Sequence, residues 1–233
     1  MPCSKAIFVS ALLAVLLPAP AGDAAASAQE AARRGFASAV SPALMARYET
    51  RFGKGTRERL HAWQRYAAAR AAEPLAEQAL LEDVNRFLNR IRFVDDLPHW
   101  GEADYWATPA ESVGSHGADC EDFTIAKYFL LKELGVPVER LRMTYVKALR
   151  LNQAHMVLAY YPRPDAEPLV LDNLEDAVRP ASQRTDLLPV YSFNDDDLRV
   201  EAGGRRGSPR QIRNWSLLLE RLDWELRLRG TSG

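Results

Sequence analysis

The sequence predicts an α+β fold in which helices come first, an antiparallel sheet follows and a last helix closes the chain. Three observations carry this. Apolar residues recur at helical spacing up to Leu134, the apolar period shortens to two beyond Leu141, and a helical stripe returns after Pro209. Short loops between the strand-like runs favour antiparallel pairing.

Lys5 precedes a largely apolar run over residues 6–17, followed by Pro18-Ala19-Pro20 and a small-residue stretch ending in Ala26-Ser27-Ala28. This is the layout of a secretory signal with an A-x-A cleavage site, so residues 1–28 are expected to be removed on export. The run is too short to span a bilayer, which takes ~20 apolar residues. About 205 residues remain. They suffice for one domain over 56–233, preceded by a partly flexible N-terminal segment over 29–55. A net charge of −1 with both signs interspersed argues against a nucleic-acid partner.

Ser41-Pro42 starts a short helix through Tyr48. Thr56 is expected to cap a helix carrying Leu60, Trp63 and Ala67. Pro74 opens another, with an apolar stripe of Leu80, Val84, Phe87, Leu88 and Ile91. An acidic, aromatic-rich loop spans 95–111; Trp100 is expected to pack the helices onto the domain, while Trp106 or Pro109 could wall a cleft. His61 reads as a surface residue and His99 as a loop residue without chemistry. Gly114 and Gly117 bracket a loop leading into a helix over about 120–134, apolar at Phe123, Ala126, Leu130 and Leu134. Gly135 and Pro137 stop it. Strands are expected over 141–147, 154–160 and 169–172, with edge strands at 191–193 and 199–201. Gly203, Gly204 and Gly207 form a turn, and Ser208-Pro209 caps a helix bearing Ile212, Trp215, Leu218, Leu219 and Leu222.

The chain has two cysteines, and Cys3 leaves with the signal. A lone thiol in an oxidising compartment calls for an explanation, and catalysis supplies one. A single cysteine is more often a small buried hydrophobe. However, Asp119, Glu121 and Asp122 flank Cys120, a poor setting for a core thiol. At a helix N-terminus the macrodipole favours the thiolate, and the first N–H groups can bind an oxyanion. A cysteine hydrolase also needs a base and a group to orient it. His155 lies near the start of one strand and Asp172 near the end of its neighbour. In an antiparallel pair those positions adjoin, so the two can meet facing the cysteine helix. Singly, His155 reads as a core histidine and Asp172 as a turn residue; the ordered set is less readily a coincidence.

The runs 105–111 (YWATPAE) and 119–128 (DCEDFTIAKY), with Ala154-His155-Met156-Val157-Leu158, Leu171-Asp172-Asn173 and 189–194 (PVYSFN), resemble the bacterial transglutaminase-like cysteine proteinases of the LapG type. The resemblance covers about 80–194. It implies a transglutaminase/papain-like core and a Cys-His-Asp triad at Cys120, His155 and Asp172. It also implies a periplasmic protease that cuts a large surface adhesin near its N-terminus, releasing it and dispersing biofilm. Calcium dependence and inhibition by an inner-membrane receptor that senses cyclic di-GMP belong to the same expectation. Ala118 stands where the family pattern has glycine, and Asp197-Leu198-Arg199 where a Gly-Leu-Trp-like ending is expected. Transamidation on the same fold, or a non-catalytic calcium-binding or docking module, are the alternatives.

Asp119, Glu121 and Asp122 are the expected calcium ligands. They also suit a helix N-terminus as simple charges, and no EF-hand spacing is present. Yet three carboxylates beside Cys120 would oppose its thiolate, and a divalent cation would offset them. Hard oxygen ligands suit calcium better than zinc, and the resemblance favours the calcium reading.

Overall fold

The computed structural model describes residues 40–228; the expected signal segment lies outside them. Helix α1 (Pro42–Phe52) starts where Ser41 Oγ accepts the Leu44 N–H and runs one turn past Tyr48, to Gly53 at φ 80°. Helix α2 (Thr56–Ala72) begins at Thr56 itself. The cap is Gly55 in the left-handed region, and the Thr56 hydroxyl donates to the Gly53 carbonyl instead. Helix α3 (Glu77–Leu88) starts three residues after Pro74 and buries Leu80, Leu81, Val84 and Leu88.

The acidic loop holds two short helices, α4 (Asp96–Trp100) and α5 (Pro109–Ser115), absent from the sequence reading. Thr108 and Glu111 form a reciprocal capping box on α5, a signal present in the sequence but spread over only seven helical residues. Strands β1 (Arg92–Phe93) and β2 (Gly117–Ala118) pair in parallel and lead into α6 (Cys120–Glu133). Seven strands form the main sheet: β3 (Leu141–Ala148), β4 (Gln153–Tyr160), β5 (Leu169–Leu171), β6 (Arg179–Pro180), β7 (Leu187–Phe193), β8 (Leu198–Val200) and β9 (Arg205–Gly207). Their order is β6-β5-β4-β3-β7-β8-β9, and every neighbour pair is antiparallel. A 3₁₀ turn capped by Ser208 precedes α7 (Arg213–Arg227). The expected α+β order holds.

Helix α6 is the centre of the molecule. The sequence gives it one apolar face, but every residue from Cys120 to Leu131 is buried. The reason is packing on all sides: the sheet covers one side, α3 and α5 pack on others, and Trp215 of α7 closes over Tyr128 and Phe129. Trp215 of α7 stacks on Phe129 and meets Tyr128 and Phe193 edge-on, joining last helix, central helix and sheet. Leu44, Met45 and Tyr48 of α1 belong to the same buried cluster.

The register of β5 decides where the first turn of α6 can go. β5 pairs with β4 only over residues 158–160, leaving the first half of β4 without a strand on that side. Helix α6 docks there, and Thr124 Oγ1 donates to the Met156 carbonyl at 3.0 Å. That bond supplies a donor where the sheet supplies none.

A second polar knot joins both ends of the chain. Tyr48 Oη of α1 and Thr108 Oγ1 both donate to Glu225 Oε1 of α7. Glu111 accepts from Arg51 at 2.8 Å and from the Tyr105 hydroxyl at 2.9 Å. Burial, and then the charge of Glu111, push the Glu225 carboxyl up to about 8. Its folded value lies above the unfolded one, so folding favours the proton. Stability from this group is full below about pH 4.5 and falls as pH rises toward 8. Glu225→Gln is therefore expected to unfold at a higher temperature than wild type at pH 8, by roughly 5 °C, with the gap closing at pH 4.5. Thermal melts across that range check this; a gap independent of pH would mean the carboxyl is ionised in the fold.

Candidate active site

Cys120 is the first residue of α6, buried at 3 % exposure. The residues before it are held in regular structure, a helix through Ser115 and a strand pair at Gly117 and Ala118. Gly114 lies inside α5, against Thr56 and Phe52, and the left-handed residue is His116 at φ 59°. At Gly117 a Cβ would lie 2.6 Å from the His99 ring, which is itself held by Ser115 Oγ at 2.9 Å, so any larger residue must displace that ring. His99, read from sequence as idle, thus shapes the approach to Cys120. Ala118 pairs with Phe93 and passes its carbonyl to Val94 N–H, so alanine fits the position where glycine was expected.

His155 and Asp172 meet across the sheet edge. Leu158 pairs with Leu171, so Asp172 is the first residue past β5 and stands diagonal to His155 on the same face. His155 Nε2 lies 2.8 Å from Asp172 Oδ1. The Leu174 N–H donates to the same oxygen at 3.0 Å, and Asn89 Nδ2 donates to the Asp172 carbonyl. The thiol of Cys120 is within hydrogen-bonding reach of the ring, and Nδ1 is the ring nitrogen that Asp172 leaves to it. The register thus brings together Cys120, His155 and Asp172.

The electrostatics follow from burial and partners. Burial works against a charged ring, but hydrogen bonds to Asp172 and Cys120 outweigh it and raise His155 to about 10. Burial would raise Asp172 as well. The bond and charge of His155, the Leu174 N–H and the Arg184 guanidinium hold it well below the usual carboxylate range. Lys127, two turns along α6 from Cys120, is fully buried; burial lowers it to about 7 against the pull of Asp172 and Asp176.

The three expected metal ligands do not form one group. Carboxylate oxygens of Asp119 and Glu121 cluster with the Cys120 sulfur, those of Asp119 and Asp122 with Asp96, and those of Glu121 with Asp96 and Asp104, each set within 4.8 Å. Asp96, buried at the start of α4, links them. Neither Asp96 nor Asp104 is reachable from sequence, because the turn that folds α4 back on Cys120 is set by tertiary contacts. The donor chemistry fits a hard cation: carboxylate oxygens from two segments, four of the five side chains buried, with like charges that a divalent ion would offset. Glu121 Oε2 also accepts from Cys120 Sγ at 3.1 Å, so the acidic cluster bears directly on the thiol. Asp122 is tied down otherwise, taking the Ala107 N–H at 2.7 Å. Trp106, a possible cleft wall in the sequence reading, is buried and stacks on Phe193.

The chain matches the family described as bacterial transglutaminase-like cysteine proteinase over residues 54–190. It is similar to solved structures of Legionella pneumophila LapG, with 39% identity and a TM-score of 0.67, covering 76% of this chain and 95% of that one. An EGTA-treated form of the same protein matches equally well. A calcium-bound form is 40% identical with a TM-score of 0.65, covering 76% and 97% of the two chains. None of the curated proteins compared with the chain matches it. On the extent of that match and the identity to LapG, the chain belongs to the bacterial transglutaminase-like cysteine proteinases.

Proposed function

We propose that this cysteine proteinase is an exported, calcium-dependent endopeptidase that cuts a large surface adhesin near its N-terminus, with Cys120, His155 and Asp172 as its catalytic residues. The observation that carries the catalytic assignment is the 2.8 Å contact between His155 Nε2 and Asp172 Oδ1, with the Cys120 thiol within reach of the same ring.

The reacting form of the site is a thiolate beside an imidazolium, favoured by a positive ring and a helix N-terminus, and it forms when the sulfur gives up the proton that Glu121 accepts in the structure described. The Cys120 sulfur attacks the scissile carbonyl carbon, and the carbonyl electron pair moves to oxygen. First-turn N–H groups of α6, including that of Cys120, receive the developing oxyanion. As the adduct collapses, the C–N bond breaks and His155 gives its proton to the leaving amine. Water then attacks the thioester and passes a proton to His155, and the acid departs as the C–S bond breaks. Asp172 keeps the ring in place and stabilises its charge throughout.

Asp96, Asp104, Asp119, Glu121 and Asp122 are the residues that would hold calcium. When bound, calcium would offset the carboxylate charge beside Cys120 and fix the loop that carries it. Within the described residues no helix is long and apolar enough to cross a membrane. Export to the periplasm rests on the signal-like start of the sequence. The adhesin substrate, a role in biofilm dispersal and control by a cyclic di-GMP receptor rest on the family resemblance, supported by the likeness to LapG.

The decisive experiment is incubation of the purified chain with the N-terminal region of a large surface adhesin. Wild type should yield two fragments, while Cys120→Ser and His155→Ala each lower the rate about a thousandfold or more with the fold retained. A serine variant near wild-type rate would overturn the assignment, and crosslinked product in place of fragments would make the enzyme an acyltransferase.

Chelator should suppress cleavage and added calcium restore it. Calorimetry should register calcium binding by wild type and its loss in Asp119→Ala and Asp96→Ala. Binding undiminished in both variants would place the ion elsewhere.

A further inference from the structure

Asp172 has two carboxylate oxygens, and the chemistry above uses one. Oδ1 takes the His155 ring and the Leu174 N–H. Oδ2 is held by Arg184, whose Nη2 lies 2.8 Å away. Arg184 is itself buried at 7 % exposure, just past a 3₁₀ turn (Ala181–Gln183) on the connection from β6 to β7. Its guanidinium is gripped again two residues on: Nε meets Asp186 Oδ1 at 3.1 Å and Nη2 meets Asp186 Oδ2 at 3.0 Å. The backbone anchors this clamp in turn. The Asp186 carbonyl accepts the Leu149 N–H of the β3–β4 hairpin at 2.7 Å, and Leu187 N–H bonds the Arg184 carbonyl.

From this chain of contacts we infer that Arg184 is a positioning residue for the reaction: it fixes the carboxylate plane of Asp172 so that Oδ1 faces His155. The inference rests on the Cys120–His155–Asp172 reading. A carboxylate held at one oxygen can rotate about its last bond. Held at both, by a ring on one oxygen and on the other by a cationic N–H that Asp186 fixes in place, it has one orientation. A plain structural staple for the β6–β7 connection is the competing role. Burial argues against it, because a guanidinium inside a protein is costly unless its charge is used, and Nη1 is buried here without a hydrogen-bond partner among the described residues. An apolar side chain would staple the connection at lower cost.

The test uses the full chain with the same adhesin fragment, comparing Arg184→Gln, Arg184→Lys and Asp172→Ala with wild type. Three quantities are read: kcat, KM, and the NMR resonance of the His155 Nε2–H proton, which Asp172→Ala should abolish and so identify. Arg184→Gln is expected to lower kcat about 10- to 100-fold, the range found where an outer partner orients a catalytic group, with KM within about twofold and the resonance lost or moved. Arg184→Lys, which keeps the charge, should recover most of both. A folded Arg184→Gln with wild-type kcat overturns the inference, as does a loss of kcat with the resonance unmoved, which would mean a staple. If Arg184→Gln fails to fold, Arg184→Lys decides: wild-type kcat and resonance support the charge-bearing role, and loss of kcat with an unmoved resonance rejects it. Should Asp172→Ala keep wild-type kcat, the triad reading fails and the inference falls with it; should only Arg184→Gln keep it, the triad stands and Arg184 has no part in it.

Discussion

The buried pairing of Asp172 with His155 is the constraint on which the rest of this structure turns. Both side chains are almost wholly removed from water, and a charge in that setting is tolerated only when it is paired and hydrogen-bonded. Asp172 therefore needs its full set of partners, and they converge from separate parts of the chain: the ring from β4, a guanidinium from the β6–β7 connection, the N–H of Leu174 in its own loop and a backbone tether from Asn89 just past α3. Removing one leaves the others with an uncompensated charge. The same register that brings Asp172 beside His155 ends β5 early, and the exposed edge of β4 receives the first turn of α6. Sheet register and thiol placement are thus one geometric fact.

The site also balances opposing fields. The charged ring and the helix N-terminus favour a thiolate at Cys120, while Glu121 accepts from the same sulfur and Asp96, Asp119 and Asp122 gather behind it. Legionella pneumophila LapG has been solved in calcium-bound and EGTA-treated forms; in the function proposed above for this chain, a divalent cation would be the counterweight. On this view the acidic cluster is a control on the nucleophile as much as a structural anchor. The ion pair at its back, Asp172 with Arg184, lies outside the cluster.

Much of this could be read from the residues alone. Helix α6 and strands β3 to β5 have unambiguous periods, and Cys120, His155 and Asp172 fall at positions where an antiparallel register brings them together. What escaped reading was tertiary. Asp96 and Asp104 reach Glu121 only because the 95–105 turn folds back, and Arg184 reaches Asp172 across a connection with no periodicity of its own. The all-round burial of α6 depends on partners from both ends of the chain. Thr56 looked like a cap, but Gly55 adopts the left-handed conformation that ends the preceding turn, leaving threonine as the first helical residue. Short elements such as α5, β6 and β9 carry too few residues for a period to show.

The central claim is that His155 is held as a cation by Asp172 and the cysteine, ready to give its proton to the leaving amine. Nitrogen NMR of the His155 ring, followed with pH, tests it most directly. Both ring nitrogens should carry protons at pH 7, with the second proton lost only near pH 10. A ring that is neutral at pH 7 and titrates near the ordinary 6.5 would contradict the claim.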